Sequence, residues 1–453
     1  MQKVVSALLV LLLLCAAAVF PIKVNAAAVP LQPPEIRSES AVLMDAVSGQ
    51  ILYQKNMNQK MYPASITKVL TALLALDKGD LSQTLTMSYE AVFSIDRNSS
   101  HIALDVDEKI TLEQALYALS IASANEAANG IAEQIGGTVE NFAGMMNEAA
   151  AKSGAENTNF TNPHGLPDQN HYTTAYDMAK ITSAALMIPR FTEIFGATRY
   201  DIPPTNKQPE TRMLWNSNKL LNGSIPYEGI LMSKTGWTSE SQHTLVSAAK
   251  RGDTTLIAVV MRSPNAEDKW KDTTALLDYG FDGFTAVKIT KERLEKSSPT
   301  QIATANNFQI RTAFAVADDV SLLLPAGETI DNLSITYGEP KIDEVKALAQ
   351  LPVCINLPGP SSTDPAKLVD VDINMSSQIS ALKSEEITGD SSAQENANSV
   401  YLSEKETRGP IFLFFILLSA IFLFLVKRWD IKRYRNRRRQ QARRRRTNHH
   451  DNN

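Results

Sequence analysis

Ser65 and Lys68 lie three residues apart, a spacing that puts two helical side chains on one face, a turn from each other. A serine at the start of a helix has its hydroxyl at the positive end of the dipole. A lysine one turn on, walled by apolar side chains, is pushed toward the neutral amine by loss of water. A neutral amine beside a hydroxyl is a general base beside a nucleophile. The spacing alone is weak evidence, because Ser247/Lys250 and Ser380/Lys383 repeat it. Ser247 falls in a strand pattern, where residues three apart point to opposite faces. Ser380 falls at the frayed end of a β-rich part of the chain. Ser65 follows Pro63-Ala64 and opens the run Ser65–Leu76, whose Val69, Leu70, Leu73, Leu74 and Leu76 cover most of its surface. That run predicts a helix buried on most sides. A simple N-cap is the other reading of the same serine.

Two more groups share this pattern of chemistry. Ser123-Ala124-Asn125 lies between two helical patterns, the first opened by the capping box Thr111-x-x-Gln114. Lys234-Thr235-Gly236 ends a strand pattern. Ser-x-x-Lys, Ser-x-Asn and Lys-Thr-Gly, in that order, are the trio of penicillin-binding proteins and class A β-lactamases. Further stretches fit, namely Tyr62-Pro63-Ala64-Ser65, Asn162-Pro163-His164-Gly165-Leu166-Pro167-Asp168 with His171-Tyr172-Thr173-Thr174, and Lys234-Thr235-Gly236-Trp237-Thr238. Over about residues 35–380 the chain resembles the serine-type D-alanyl-D-alanine carboxypeptidases, the low-molecular-mass penicillin-binding proteins of peptidase family S11.

The resemblance implies a role for each residue. Ser65 attacks the carbonyl between the two terminal D-alanines of a peptidoglycan stem peptide, and Lys68 takes its proton. Ser123 passes a proton to the leaving amine. Asn125 hydrogen-bonds the substrate backbone or holds Lys68. The backbone N–H groups of Ser65 and Trp237 form an oxyanion hole. Lys234, with the hydroxyls of Thr235 and Thr238, binds the terminal carboxylate, and Gly236 lets substrate lie along the strand edge. Water completes the hydrolysis, β-lactams act as covalent inhibitors, and no metal or other cofactor is expected. The chain departs from the family at two places. Ser241-Gln242 stands where Ala-Gly is usual after the Lys-Thr-Gly strand, and Val106-Asp107 precedes Glu108 where a glycine is common. His164 and His171 read as structural, since no His-Glu-x-x-His motif is present and their spacing is seven. Asp168 and Asp177 read as turn and helix-start residues.

The elements that must position these groups follow from pattern. Ala41–Met44 and Ile51–Tyr53 flank Ser48-Gly49 as a hairpin. Helical patterns run to about Leu186. Gly229–Thr238, Thr244–Ala249 and Thr254–Met261 read as antiparallel strands, with Arg251-Gly252-Asp253 as a turn, and Ala266–Tyr279 reads as a closing helix. A sheet built from both ends of a segment with helices between is an α/β layered domain. The expected fold is thus a β-lactamase/transpeptidase-like catalytic domain, an antiparallel sheet with helices, over residues 33–282. Short runs at Phe314–Val316, Val320–Leu324, Ser334–Tyr337, Val353–Leu357 and Leu368–Ile373 predict a small all-β domain over 285–383. The Ser-, Glu- and Asn-rich stretch 384–408 reads as a flexible linker.

Both ends read as addresses. Lys3, the apolar run Val4–Phe20 and the small residues to Ala28 read as a signal peptide, 1–27. Residues 409–426 read as a transmembrane helix, and as a helix would reach roughly 27 Å against a ~30 Å hydrocarbon core. Residues 427–453 hold twelve Lys and Arg against two Asp, a net +10, which leaves −14 on residues 1–426. The basic tail is expected in the cytoplasm and the catalytic domain outside, on the cell membrane. An acidic body argues against nucleic acid as a partner. Two cysteines, Cys15 and Cys354, exclude a disulfide framework.

Two alternatives remain open at this point. A class A-like β-lactamase shares the trio, but needs a positioned carboxylate for deacylation, and its Glu-x-x-Leu-Asn pentad is absent. An inactive wall-binding or β-lactam-sensing module would suit a membrane tail, but not four intact reactive side chains.

Overall fold

The hairpin around Ser48-Gly49 forms the edge of the main sheet in the computed structural model of the chain. The elements run β1 (Ser40–Asp45), β2 (Ile51–Lys55), a 3-10 turn (Ala64–Thr67) continuing into α1 (Lys68–Lys78), β3 (Thr84–Thr86), α2 (Tyr89–Phe93) and β4 (Lys109–Thr111). There follow α3 (Leu112–Ile121), α4 (Asn125–Gly136), α5 (Val139–Lys152), α6 (Ala175–Leu186), α7 (Pro189–Phe195), β5 (Arg199–Ile202) and β6 (Arg212–Trp215). The strands β7 (Ile230–Thr238), β8 (Gln242–Arg251) and β9 (Thr254–Ser263) then lead into α8 (Ala266–Gly283). Five strands pair antiparallel in the order β2-β1-β9-β8-β7.

Strand periodicity decides how this sheet is used. Val42 and Met44 of β1, Val246 and Ala248 of β8, and Ile257, Val259 and Met261 of β9 face a core shared with α1, α3, α4 and α6. Their alternates Ala41, Leu43, Leu245, Ala249, Leu256, Ala258 and Val260 face a second core with Trp270, Leu276 and Leu277 of α8. With both faces covered, these strands are apolar at nearly every position, as a doubly covered sheet requires. The capping box expected at Thr111 is present. Gln114 N–H donates to Thr111 Oγ1, and the Gln114 side chain accepts from Thr111 N–H.

Residues 32–297, 301–305, 308–316, 319–337, 341–343, 348–350, 353–357, 366–371 and 375–383 are described by the structure. The signal peptide, linker, apolar run and basic tail expected from the sequence lie outside them. Among the described residues no helix is long and apolar enough to cross a membrane. After α8 come β10 (Phe284–Ile289), α9 (Lys291–Ser297), β11 (Gln301–Ala305), β12 (Phe308–Val316), β13 (Val320–Pro325), β14 (Ser334–Tyr337), β15 (Lys341–Asp343), β16 (Leu348–Gln350), β17 (Val353–Leu357), β18 (Ala366–Val371) and β19 (Met375–Lys383). They form small antiparallel sheets, among them β11-β12-β19 and β14-β17-β18.

Two expectations change in this part. The helix α9, a run of charged residues around Leu294, breaks the all-β pattern. Ser380 is not at a frayed end but pairs with Arg311 in the middle of a nine-residue ladder between β12 and β19. The first strands after α8 also share the body's packing. Leu323 of β13 belongs to the α8-side core. The buried Gln50 acts there as an extra rung, accepting from Leu323 N–H at 2.8 Å and donating to Leu323 O at 2.7 Å.

Candidate active site

Ser65 sits in the 3-10 turn that leads into α1 rather than in α1 itself. Residues i and i+3 eclipse in a 3-10 turn, and Lys68 Nζ stands 3.0 Å from Ser65 Oγ. The turn is entered through Ala64 at φ +50°, a conformation that L residues avoid. Its surroundings hold it there. Thr244 Oγ1 donates to Pro63 O at 2.9 Å. Gly236 of β7 lies so near that a Cβ on it would fall 2.4 Å from Thr244 Oγ1 and 2.9 Å from Ser65 N. A Cβ on Gly165, at φ +88°, would fall 1.9 Å from Ala64 O. Only glycine at these two positions lets β7 and the Asn162–Asp168 loop lie against the serine turn.

Lys68 is fully buried. Its Nζ has three neighbours, Asn125 Oδ1 at 2.6 Å, His164 O at 2.7 Å and Ser65 Oγ at 3.0 Å. Burial, reinforced by the nearby Lys234 charge, pushes this amine well below the ordinary lysine range, with Glu126 pulling weakly the other way. A neutral amine has two N–H donors and one lone pair. The two carbonyl oxygens take the donors, so the lone pair is left for the Ser65 hydroxyl. Asn125 is held in turn, its Nδ2 donating to Ser99 Oγ at 2.9 Å and its backbone N–H to Ser100 O.

Ser123 lies across the cleft, also in the left-handed region at φ +58°. Lys234 Nζ donates to Ser123 Oγ and to Thr235 O, both at 3.0 Å. Burial first, and then the Lys269 charge, pull Lys234 down to about 7. Lys269 on α8 is itself pulled to about 8, mainly by burial and then by Lys219. Ser65, Ser123, Lys234, Thr235, Gly236 and Trp237 line one cleft of about 280 Å³, together with Ser100, Asn216, Ser217, Asn218 and Lys269. Among the described residues no carboxylate lines it, and its two lysines favour an anionic guest. Trp215 and Trp237, 64% and 63% exposed, flank its mouth.

A larger cavity of about 530 Å³ lies beside Ser48, Lys180, Ser183 and Asp319. Its lysine and Ser183 are spent on backbone carbonyls, Lys180 on Gly154 O and Ser183 on Ala46 O. Volume alone therefore misplaces the site; Ser65, Ser123 and Lys234 line the smaller cleft.

Thr238 is set apart from the other expected site residues. Its N–H and Oγ1 each lie 3.0 Å from Ser241 Oγ, closing the β7–β8 turn. Both departures from the family pattern fall on left-handed backbone, Gln242 at φ +52° and Asp107 at φ +62°. The conformation that glycine would adopt freely is kept without glycine. His171 is buried, accepting Thr161 N–H on Nδ1 and meeting Thr67 Oγ1 on Nε2 at 2.9 Å. Burial pulls it to about 4, so it stays neutral. His164 Nδ1 accepts Leu166 N–H. Asp168 Oδ1 accepts Asn170 N–H in its turn, and Asp177 Oδ2 ties Asn157 N–H and Thr158 Oγ1 to the start of α6.

Lys269, Ser100 and the Asn216-Ser217-Asn218 turn reach the cleft without having been singled out in the sequence. Lys269 carried no usable signal, being one lysine in a charged amphipathic helix start. The Asn-Ser-Asn run did carry a turn signal, and Asn218 Nδ2 donates to Ser233 Oγ at 2.9 Å from it.

A serine paired with a buried lysine, beside an edge strand that ends in Lys-Thr-Gly on an antiparallel sheet, defines the penicillin-binding fold class. Residues 26–265 match the family model described as D-alanyl-D-alanine carboxypeptidase. The chain is 31% identical over 301 residues to D-alanyl-D-alanine carboxypeptidase DacF of Bacillus subtilis, covering 65% of this chain and 75% of that one. It is 33% identical over 272 residues to D-alanyl-D-alanine carboxypeptidase DacA of Haemophilus influenzae, covering 58% and 67%. The solved structure of penicillin binding protein 5 from Haemophilus influenzae superposes with a TM-score of 0.61 at 27% identity, over 77% of this chain and 99% of that one. The chain belongs to the D-alanyl-D-alanine carboxypeptidase family, and is a serine-type D-Ala-D-Ala carboxypeptidase.

Proposed function

We propose that the enzyme removes the terminal D-alanine of peptidoglycan stem peptides through an ester on Ser65, and that it does so anchored to the cell membrane. The observation that carries the chemistry is the Lys68 amine, 3.0 Å from Ser65 Oγ with both of its protons engaged by carbonyl oxygens. Ser65 Oγ attacks the carbonyl of the penultimate D-alanine while its proton moves to Lys68 Nζ. The carbonyl electron pair moves onto oxygen, facing the N–H groups of Ser65 and Trp237. Such a donor is typically worth ~10²–10³ in rate. Breakdown expels the terminal D-alanine, whose amine takes the proton held by Lys68 by way of the Ser123 hydroxyl, so that Lys68 is neutral again and Lys234 keeps its charge. The leaving carboxylate rests on Lys234 and the Thr235 hydroxyl. Water then attacks the ester and gives a proton to Lys68 Nζ, which returns it to Ser65 Oγ as the ester C–O bond breaks, freeing Ser65 and the shortened peptide.

The same reading accounts for β-lactams. A strained amide beside a carboxylate presents the two features that Ser65 and Lys234 engage. Anchoring rests on the uncharged sequence Ile411–Val426 followed by its basic block, with the body outside the cytoplasm and the strands after residue 284 as a spacer domain. The test is D-alanine release from an N-acylated Lys-D-Ala-D-Ala peptide. Release that Ser65→Ala abolishes is expected. Acylation by a labelled penicillin with no peptide turnover would instead make the protein a sensor.

A further inference from the structure

Two chain segments that build the catalytic cleft also wall a second hollow. The segment 59–62 leads through Pro63 into the Ser65 turn, and β7 runs past Gly236 and Trp237 into the turn at 239–241. Gln59, Lys60, Tyr62, Glu240 and Ser241, with Arg262 of β9, line a cavity of about 380 Å³. Both walls are fixed. Met61 exchanges backbone hydrogen bonds with Thr173 at 2.8 and 3.0 Å. Thr238 N–H donates to Ser241 Oγ and Ser241 N–H to Thr238 Oγ1, each at 3.0 Å. The charges of the cavity are unevenly spent. Arg262 pairs with Glu39 at 3.3 Å, and Gln59 Nε2 donates to the same carboxylate at 2.8 Å. Lys60 Nζ stands 4.4 Å from the centre of the Tyr172 ring, and Glu240 accepts the Ser239 hydroxyl at 2.9 Å. Among the described residues neither Lys60 nor Glu240 forms an ion pair, so one cation and one anion line the cavity with no opposite charge at hand.

β7 is the edge of the five-stranded sheet, and an edge strand can pair with an extended peptide. The direction of that peptide follows from the carboxypeptidase reading above, on which this inference rests. The terminal carboxylate lies at Lys234 and Thr235, and the reacting carbonyl lies at the N–H groups of Ser65 and Trp237. The chain before the carbonyl therefore runs on past Trp237. Strand residues advance about 3.3 Å each, which brings the third residue from the carboxyl end over Thr238, bonded to Ser241 in the wall of the second cavity. We propose that this cavity receives the side chain of that third residue, and that it fits a side chain ending in an α-amino acid group, the ammonium held by Glu240 and the carboxylate by Lys60. A diamino dicarboxylic acid such as meso-diaminopimelate has this ending. A lysine side chain, with an ammonium alone, engages Glu240 only, and a small neutral side chain engages neither.

The test is D-alanine release from N-acylated peptides that differ only in the residue before D-Ala-D-Ala, which is meso-diaminopimelate, lysine or alanine. The parent enzyme should show its highest kcat/KM with the first. Glu240→Gln should lower kcat/KM about tenfold for the diaminopimelate and lysine peptides, the worth of a hydrogen bond to a charged group, and leave the alanine peptide unchanged. Lys60→Gln should lower it by a similar factor for the diaminopimelate peptide alone. Both side chains are exposed, so melting temperatures should stay at the parent value. Acylation by benzylpenicillin, which carries no charge on its acyl side, should stay there too. Equal kcat/KM for all the peptides in the parent enzyme, or losses spread evenly over them in either variant, would overturn the proposal. A parent enzyme that releases D-alanine from none of them would overturn the carboxypeptidase reading instead. Calorimetric binding of the diaminopimelate peptide to the parent and to Glu240→Gln then decides the cavity by itself: binding weaker by about tenfold in the variant supports the proposal, and equal binding overturns it.

Discussion

The molecule carries one tetrapeptide spacing in two settings whose fates are opposite. Ser65 and Lys68 stand on a 3-10 turn and the first residue of a helix, where three-residue spacing aligns side chains, and Nζ meets Oγ at 3.0 Å. Ser247 and Lys250 stand on β8, where the same spacing sends them to opposite faces. Ser247 Oγ is buried against Ser233 Oγ at 2.8 Å, and Lys250 is exposed. Helical geometry therefore brings the hydroxyl and amine of the first pair together, as the proposed nucleophile and base require. In the second pair the strand leaves a core hydroxyl and a solvated charge. Spacing acquires chemical meaning only through the element that bears it.

The comparison breaks most sharply at the lysines. Lys68→Arg should lower acylation at least about a thousandfold although the charge is kept, because arginine cannot give up its proton at workable pH. Lys250→Arg should leave the rate as it was. Lys234→Arg should be milder, about tenfold and mainly in KM, since pairing with a carboxylate needs only a cation. Steady-state kinetics on a D-Ala-D-Ala peptide separates the three. Equal losses in Lys68→Arg and Lys234→Arg would contradict the division of labour.

The pH profile tests the same contrast within the cleft. Lys68 must be neutral to accept a proton, so activity rises with pH through its depressed pKa. Lys234 must be charged to hold a carboxylate, and in the free enzyme it loses that charge above about 7. kcat/KM should therefore fall on the alkaline side through weaker binding, and kcat should fall less, because bound carboxylate holds the proton on Lys234. A profile flat from pH 6 to 9 would count against the assignment of Lys234.

Smaller effects sharpen the structural side. Ser247→Ala should cost about 1 kcal/mol of stability through the lost buried hydrogen bond and leave acylation unchanged, in contrast to Ser65→Ala. Gln242→Gly should raise stability by about 0.5 kcal/mol, since left-handed strain is relieved and part of the gain is offset by chain entropy. Thermal melts of the two variants check both expectations.

Elements with strong local signals were legible in the sequence. Thr111 and Gln114 announced their helix, Ser48-Gly49 its hairpin, and the apolar runs of β7, β8 and β9 their strands. The Ser-x-x-Lys, Ser-x-Asn and Lys-Thr-Gly groups were legible because each needs only its own spacing and the element under it. The 3-10 turn at Ala64–Thr67 was not, because tertiary contacts from Gly165, Gly236 and Thr244 impose it. Lys269 was not, because its importance lies in where α8 buries it, against the cleft that Lys234 lines. Burial at a cleft wall cannot be read from residue type. The short helix Lys291–Ser297 was missed because a charged heptad with Leu294 as its one apolar residue has no periodicity to detect.

The central claim is that Ser65, among three serines with a lysine three residues on, is the nucleophile. Treating the protein with penicillin, digesting it and mapping the adduct by mass spectrometry tests this directly. The account predicts one covalent adduct, an ester on Ser65, absent from Ser65→Ala and strongly slowed in Lys68→Arg. An adduct on Ser247 or Ser380, or an unmodified protein, would contradict it.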